Sequence, residues 1–527
     1  MPNLLLQRLK NLVGSHPGTL ESLEPRLQPA GDLAVTVGTP TLKFSHQAHT
    51  DLIRVPVKVT NVGDETVTAR FRVFVFLSND RAVGSDYVYN AIERFAPLRP
   101  GQSFSPDLAT SMPHDPLGIV NGTPLPAGEY FIRASISFND GATDADAANN
   151  DSFSATSVGV RLAIGGGTNK FQKRTVTIPT SAFQALTFEV RGPGDGVVTS
   201  SGTGTSGSLS VSLTGTTRAS SLIIATSEKL LPGSVANISV TGSLQRISVP
   251  EINITGDIAL SGGLRSFSAR SVSGSTWSIG GSDALDARIG AVVNTSLSST
   301  GDIAVMKVAS WTTNDGGTDA VVARSIRNLA VEGDFSPRIA ASAGIGFVTI
   351  AGAANSLFDI TGSVSRFTVG STGSSFVLNA TRSIGTVEIK GPMQGRIAAP
   401  TITSVLVQGS MSGASIFAGT SLGSNGDIGG ADAAADVFGA GSLGTLTVRG
   451  SATNSLITCS LDHVDGQYFN ADDRFRSTSS RIGRIRIFGA SFNTNFAAVN
   501  FGTSHWINAL TINPASDARF RSDFPTP

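Results

Sequence analysis

Between Ser383 and Gly409 one short phrase occurs twice. Ile384-Gly385-Thr386-Val387-Glu388-Ile389-Lys390-Gly391 is answered by Ile402-Thr403-Ser404-Val405-Leu406-Val407-Gln408-Gly409. The template is an apolar residue, two small or polar residues, an apolar residue, any residue, Val or Ile, any residue, Gly. Alternation across the last apolar pair is the period of a strand and puts those side chains on one face. The closing Gly breaks the strand and lets the chain turn. Upstream the phrase recurs as Ile326-x-x-Leu329-x-Val331-x-Gly333, Ile345-x-x-Val348-x-Ile350-x-Gly352 and Val364-x-x-Phe367-x-Val369-Gly370. The starts at 326, 345, 364, 384 and 402 are 19, 19, 20 and 18 residues apart. Looser copies begin at Leu244, Leu264, Ile303, Leu443, Ile482 and Ile507. A weaker second phrase follows each first one, as in Arg338-Ile339-Ala340, Ser356-Leu357-Phe358, Arg396-Ile397-Ala398, Ser415-Ile416-Phe417 and Ser455-Leu456-Ile457. Two short strands in each short repeat predict a parallel β-helix, or β-solenoid, of about 19–20 residues per coil. One coil cannot bury its own apolar face, whereas stacked coils bury a continuous core.

The remaining composition agrees with an ordered all-β chain. A length of 527 residues leaves room for two or more domains. Basic and acidic residues balance at 39 each, which argues against nucleic acid or an anionic membrane as partner. A hydrophobic share of 40% supports a packed core. The single cysteine, Cys459, excludes an internal disulfide. Its place in a strand phrase reads as a small buried residue, not a nucleophile. No apolar run reaches the roughly 18 residues of a membrane helix.

Residues 1–31 read as a leader or targeting segment without order of its own. Leu5, Leu9 and Leu12 make at most a turn or two of amphipathic helix. The apolar run is too short for an ordinary secretory signal. Within it, Leu23-Glu24-Pro25-Arg26-Leu27 resembles the LEPR-type N-terminal motif of predicted planctomycete surface proteins, although Gln28-Pro29-Ala30 departs from that motif's continuation. The resemblance implies export to the cell surface or beyond. The full layout, including Gly441-Ser442-Leu443-Gly444-Thr445-Leu446-Thr447-Val448-Arg449-Gly450, is similar to such proteins too.

Residues 32–160 carry alternating runs at 52–59, 71–77 and 130–138, divided by turns such as Asn61-Val62-Gly63-Asp64 and Pro100-Gly101. About seven short strands predict an Ig-like β-sandwich. Val57-Lys58-Val59-Thr60-Asn61-Val62-Gly63, Leu98-Arg99-Pro100-Gly101-Gln102-Ser103, Gly128-Glu129-Tyr130-Phe131-Ile132-Arg133-Ala134 and Ala147-Ala148-Asn149-Asn150-Asp151 stand in the order of the bacterial CARDB module, which they resemble. That module is linked by name to cell adhesion and implies no catalytic residue. The insert at 110–124 departs from it. The acidic turn Asp140, Asp144, Asp146, Asn149, Asn150 and Asp151 offers hard oxygen ligands for calcium, but these are equally ordinary turn residues.

Residues 161–243 read as a linker at Gly165-Gly166-Gly167 followed by irregular first coils that cap the solenoid. Gly202-Thr203-Gly204-Thr205-Ser206-Gly207 fits G-x-G-x-x-G, yet the next residues, 208–213, alternate like a strand and not a helix, so no phosphate loop is expected. Residues 244–527 read as the regular solenoid with loop insertions and a C-terminal cap. Two gaps near twice the period hold the insertions, 423–436 and 461–473. Their carboxylates Asp427, Asp432, Asp436, Asp462, Asp465, Asp472 and Asp473 are the candidate calcium ligands. A third acidic loop, Asn314-Asp315-Gly316-Gly317-Thr318-Asp319, is expected near them if solenoid loops share one side. None matches an EF-hand or nonapeptide calcium repeat.

Parallel β-helices also host polysaccharide lyases and glycoside hydrolases. Such chemistry needs clustered Asp or Glu for acid–base work, or acidic calcium ligands with a basic residue beside them. Residues 340–420 hold only Asp359, Arg366, Arg382, Glu388, Lys390 and Arg396 as charged groups, and no His. His463 lies in an acidic loop, His46 and His49 read as surface residues, and His505 reads as packed beside Trp506. The expectation is therefore a non-catalytic extracellular or cell-surface structural or adhesion protein, with polysaccharide or other surface proteins as partners. No cofactor is expected beyond calcium. The alternative is a carbohydrate-active β-helix enzyme using acidic residues of the insertions.

Overall fold

The computed structural model describes residues 31–45, 50–78, 80–84, 87–94, 97–113, 119–120, 123–124, 128–139, 142–160, 162–165, 175–179, 185–201, 208–227, 233–423, 425–428, 436–463 and 468–526. The leader at 1–30 lies outside them. The chain divides into two compact units, with the main boundary at Ser157 and Val158. Among the described residues every regular element is a strand, apart from one 3-10 turn at Ala147–Asn149.

The N-terminal unit is a sandwich of two sheets. In one, Leu33–Val37 runs antiparallel to Thr50–Asn61, with Val35 opposite Val59. In the other, Phe71–Ser78 lies between Gly128–Phe138 and Tyr87–Arg94, with Asp151–Val160 outside Gly128–Phe138. Phe71, Val73, Val75 and Leu77 take alternate positions, and all four are buried with Val57, Val59, Ile132 and Ile136. Asn61 ends its strand inside the core. Its amide donates to the carbonyls of Leu98 at 2.8 Å and Glu65 at 2.6 Å, and its Oδ1 accepts from Gly63. One short amide side chain thereby fixes two turns.

The second unit is a parallel solenoid of two facing sheets. Its first sheet is built from the first phrase of each repeat. Ile345, Val364, Ile384, Ile402, Leu443 and Ile482 stand in register, as do Val348, Phe367, Val387, Val405, Leu446 and Ile485. Ile350, Val369, Ile389, Val407, Val448 and Ile487 form the third ladder. The second phrase supplies the second sheet, where Ile339, Phe358, Leu378, Ile397, Ile416, Ile457 and Phe496 stack. All these side chains are buried in one continuous core. At the N-terminal end the strands Leu162–Gly165, Asp195–Ser201 and Ser208–Thr216 pair antiparallel, as do Thr175–Pro179, Ala185–Arg191 and Ser221–Thr226. Parallel stacking starts where Val211 meets Ile238 and Leu222 meets Ile247. Residues 202–207 lie outside the described residues, and the segment after them is the strand Ser208–Thr216.

The repeat differs from expectation in three places. A further coil begins at Leu285, with its first-sheet strand at Leu285–Val293 and its second-sheet strand at Ser296–Ser299. Its phrase is one residue short, so the register steps between Leu285 and Asp286, and Ala287 fills the slot held by Phe267 and Met306 in the adjacent coils. Ala adds too little apolar signal to mark the repeat. At the other end Ile507 closes a coil instead of starting one. It lies opposite Ile487, while Phe501 lies opposite Ile482 and His505 takes the slot of Ile485. Finally, the closing glycine of the phrase is not set by a turn conformation. Gly391, Gly409 and Gly450 are absent from the positive-φ residues. A Cβ on Gly409 would stand 2.5 Å from both the carbonyl carbon and oxygen of Gly391, and one on Gly450 would stand 2.8 Å from the Gly409 oxygen. Backbone rests on backbone at this corner, which leaves no room for a side chain.

Candidate functional site over the second sheet

Both insertions leave the solenoid from the end of a second-sheet strand. The first follows Met411–Ala418 and begins as a short antiparallel pair, Thr420–Ser421 with Val437–Phe438. The second follows Leu456–Cys459 and begins as Leu461–Asp462 with Arg474–Phe475. Ser460 and Phe469 sit at φ +60 and +68, and so turn the chain sharply back.

The loops fold down because the sheet beneath them is apolar on its outer side. One outward column runs Val322, Ala340, Asp359, Asn379, Ala398, Phe417, Thr458, Ala497. Val322 is exposed, but the residues from Asn379 onward are buried under the insertions. Leu422 packs with Val377, Ala398 and Phe417, and Leu357, Ile428, Leu456 and Tyr468 border this small second core. Asn379 anchors the first insertion through a two-way amide contact. Its Nδ2 donates to the Leu422 carbonyl at 2.8 Å, and its Oδ1 accepts from the Leu422 amide at 3.0 Å. Tyr468 of the second insertion lies flat on Phe417, with centroids 5.7 Å apart and 17° between planes. His463 lies 4.6 Å from Tyr468 and 5.9 Å from Phe438 of the first insertion. The second insertion is also held by Phe524, which joins Leu461, Phe475 and Ala497.

Most of the described candidate calcium carboxylates already have protein partners. Asp427 pairs with Arg396. Asp436 accepts from the Gly423 amide at 2.8 Å, closing the first loop. Asp462 accepts from Arg476 Nε at 2.6 Å, with Arg474 at 4.0 Å. Asp473 is fully buried and accepts from the Phe469 amide. Asp472 is exposed, and Asp432 and Asp465 lie outside the described residues. Among the described residues no three of His, Cys, Asp and Glu are grouped to hold a metal ion. The third acidic loop leaves from the other corner, between the first-sheet strand Ile303–Thr312 and the second-sheet strand Ala320–Ala323. Its Asp315 and Asp319 accept from Gly317 and Thr313 of the same loop.

Burial shapes the chemistry of this patch. It raises the Asp473 carboxyl, against the backbone amides that would lower it. It also raises the Tyr468 hydroxyl, helped by Asp473, Asp462 and Asp436. His463 Nδ1, Tyr468 Oη and Asp473 Oδ1 are buried without a protein hydrogen-bond partner. Cys459 is buried in the core, and desolvation pushes its thiol up to about 12. A thiol so rarely ionised is a poor nucleophile. His505, in its core slot, keeps Nε2 2.7 Å from the Gly502 carbonyl, and burial lowers its pKa.

In the sandwich unit the acidic turn serves the fold. Asp146 caps the 3-10 turn by accepting from Ala148 at 3.0 Å, and Asp144 accepts from Leu33 at 3.2 Å. Asn149 donates to Asp32 at 2.8 Å, and Asp151 pairs with Arg133 at 2.7 Å. Asp140 lies outside the described residues. Sequence patterning did not reveal the roles of Asn379 or Tyr468. The available signal was the apolar Phe417 at a position that faces outward.

No protein-family model matches the chain, and no curated protein matches it. Among solved structures, the chain is similar to the CARDB domain of a Pyrococcus furiosus protein, crystallised in complex with di-metal ions. The identity is 19%, the TM-score is 0.16, and the match covers 25% of this chain and 89% of that chain. At that TM-score the likeness carries no weight for the activity of this chain.

Proposed function

We propose that the chain is a non-catalytic structural or adhesion protein, exported to the cell surface, whose solenoid presents side chains to polysaccharide or to other surface proteins. The observation that supports this most is the state of the insertion carboxylates. Asp427 and Asp462 are paired with arginines, and Asp436 and Asp473 accept from backbone amides. Carboxylates so engaged hold loops in place. Acid–base work needs a pair facing a substrate. A panel of plant, algal and bacterial polysaccharides is expected to show no new reducing ends or unsaturated products after incubation with the protein. Fusion of residues 1–31 to a reporter is expected to carry it out of the cytoplasm of a related host, and a reporter left inside would overturn the location.

A second reading, a carbohydrate-active enzyme, has one observation behind it. His463, Tyr468 and Asp473 each bring an unpartnered buried atom to the covered patch. Cleavage of any polysaccharide that is abolished by Asp473→Asn would establish that reading in place of the first.

A further inference from the structure

The corner at which each first-sheet strand begins carries arginines along much of its length. Toward the N-terminus three of them are neutralised. Arg218 and Arg265 both reach Asp283, at 2.9 and 3.4 Å. Arg324 pairs with Asp302, which also accepts from Ser325 at 2.7 Å. Over the next coils the arginines continue but the carboxylates stop. Arg327, Arg366 and Arg382 are in no ion pair among the described residues, and Asp302 reaches Arg327 only as a longer-range charge.

Here the corner opens into a groove of about 630 Å³. Arg327 and Arg382 line it, with Ser342, Thr361 and Ser365 between them and no Asp or Glu in its wall. Gly344 and Gly362, at φ +124 and +142, also line it, and a Cβ on either would run into the backbone of an adjacent coil. The groove crosses the starts of four coils. At about 4.8 Å per strand that is roughly 14 Å, the length of a short oligosaccharide. Beside it Phe347 is 52% exposed and stands in register with Arg366 on the open face of the sheet. An exposed ring next to guanidinium groups offers a sugar both a flat apolar surface and anion contacts.

We propose that this groove binds an anionic polysaccharide, with Arg327, Arg366 and Arg382 meeting its carboxylate or sulfate groups and Phe347 packing on a sugar ring. The proposal deepens the glycan-binding part of the function above and uses a site separate from the covered insertions. Duplex DNA fits less well, because affinity for DNA grows with the number of phosphates neutralised and three arginines are few.

The test uses the full chain and measures binding to polygalacturonate, a sulfated galactan, a neutral glucan and duplex DNA. Polygalacturonate, the sulfated galactan or both should bind, the neutral glucan should not, and the anion that binds names the source. Arg327→Gln with Arg382→Gln should weaken that binding roughly tenfold or more through two lost charge-assisted contacts. Phe347→Ala should weaken it too, while Arg288→Gln, outside the groove, should not. These side chains are exposed, so unchanged melting curves confirm that each variant folds. Wild-type affinity in the double arginine variant would overturn the proposal, as would equal binding of the neutral glucan or tighter binding of DNA. Those outcomes leave the non-catalytic reading standing, since only cleavage removes it.

Discussion

Gly409→Ala tests how the coils are stacked, because two effects of opposite sign meet there. At a backbone conformation that alanine tolerates, replacing glycine stabilises by about 0.4–1 kcal/mol, since the unfolded chain loses freedom. Gly409 has no positive φ, so this gain applies. Against it stand the coil below and its neighbour. The new Cβ would meet the Gly391 carbon and oxygen at 2.5 Å and the Pro392 nitrogen at 2.8 Å. All three are backbone atoms, so no side chain can swing away, and relief requires the coils to part. Overpacking of that kind costs about 1–3 kcal/mol. The cost exceeds the gain, and a net loss of about 1–2 kcal/mol is expected. Gly439 is the control, for a Cβ there meets nothing within 4 Å. Gly439→Ala should be neutral or slightly stabilising. Hydrogen exchange at Ser383–Ile389 and Thr401–Val407 reads the effect locally, where a solenoid responds first. If Gly409→Ala protects those strands as well as Gly439→Ala does, the glycine is not there for stacking, and the account of the repeat fails.

Val405→Asp buries a carboxylate in the apolar stack and should cost more than about 3 kcal/mol, whereas Glu388→Ala loses one exposed contact to Gln408 and should stay within about 0.5 kcal/mol. Equal damage in urea unfolding would mean that the inward and outward faces are misassigned. Asn379→Ala removes both amide contacts to Leu422 and leaves that peptide unsatisfied, at about 1–3 kcal/mol. Limited proteolysis should then cut the first insertion faster while the sandwich remains intact. Burial lowers the pKa of His505 below its ordinary 6.5, so its stabilising share is present above 6.5 and is lost as the pH falls. His505→Phe should flatten the fall in melting temperature between neutral and mildly acid pH, and an unchanged slope would place its origin elsewhere. Millimolar calcium should leave the melting temperature unshifted, because Asp427, Asp436, Asp462 and Asp473 already have partners. A clear rise would show that these contacts yield to the ion.

Much of the solenoid was legible because its core obeys a rule repeated in sequence. Each inward column takes Ile, Val, Leu or Phe at fixed spacing, and the registers of Ile384 with Ile402 and of Val387 with Val405 follow from it. The coil at Leu285 escaped because a deleted residue and a small Ala287 erased both marks at once. The glycine ladder was visible as letters, but its cause was not. Whether a glycine serves a turn or a close approach depends on which backbone lies beneath it, and that neighbour is almost one repeat away in sequence. The site was less legible still. Asn379 and Leu422 are separated by 43 positions, and no local pattern links a buried amide to the peptide it holds.

One local signal nevertheless marks where the solenoid is covered. A strand with one face in the core and the other in water alternates, while a strand covered on both faces does not. Val377–Ala380 is buried at all four positions, and Ile416, Phe417 and Ala418 are buried in succession. Alternation is lost in the coils over which the insertions lie. The first sheet keeps its alternation through the same coils. Thr386 and Glu388 stay partly open between the buried Ile384, Val387 and Ile389, and Ser404 and Leu406 do so beside Val405 and Val407. Nothing in this sequence asks for a cover there. A solenoid whose inward columns are fixed by packing is free to vary its outward ones, and this chain has made one outer face apolar and roofed, the other polar and open. The groove lined by Arg327 and Arg382 lies at the edge of the open face and crosses successive coils, so a ligand of the proposed kind would displace no part of the fold.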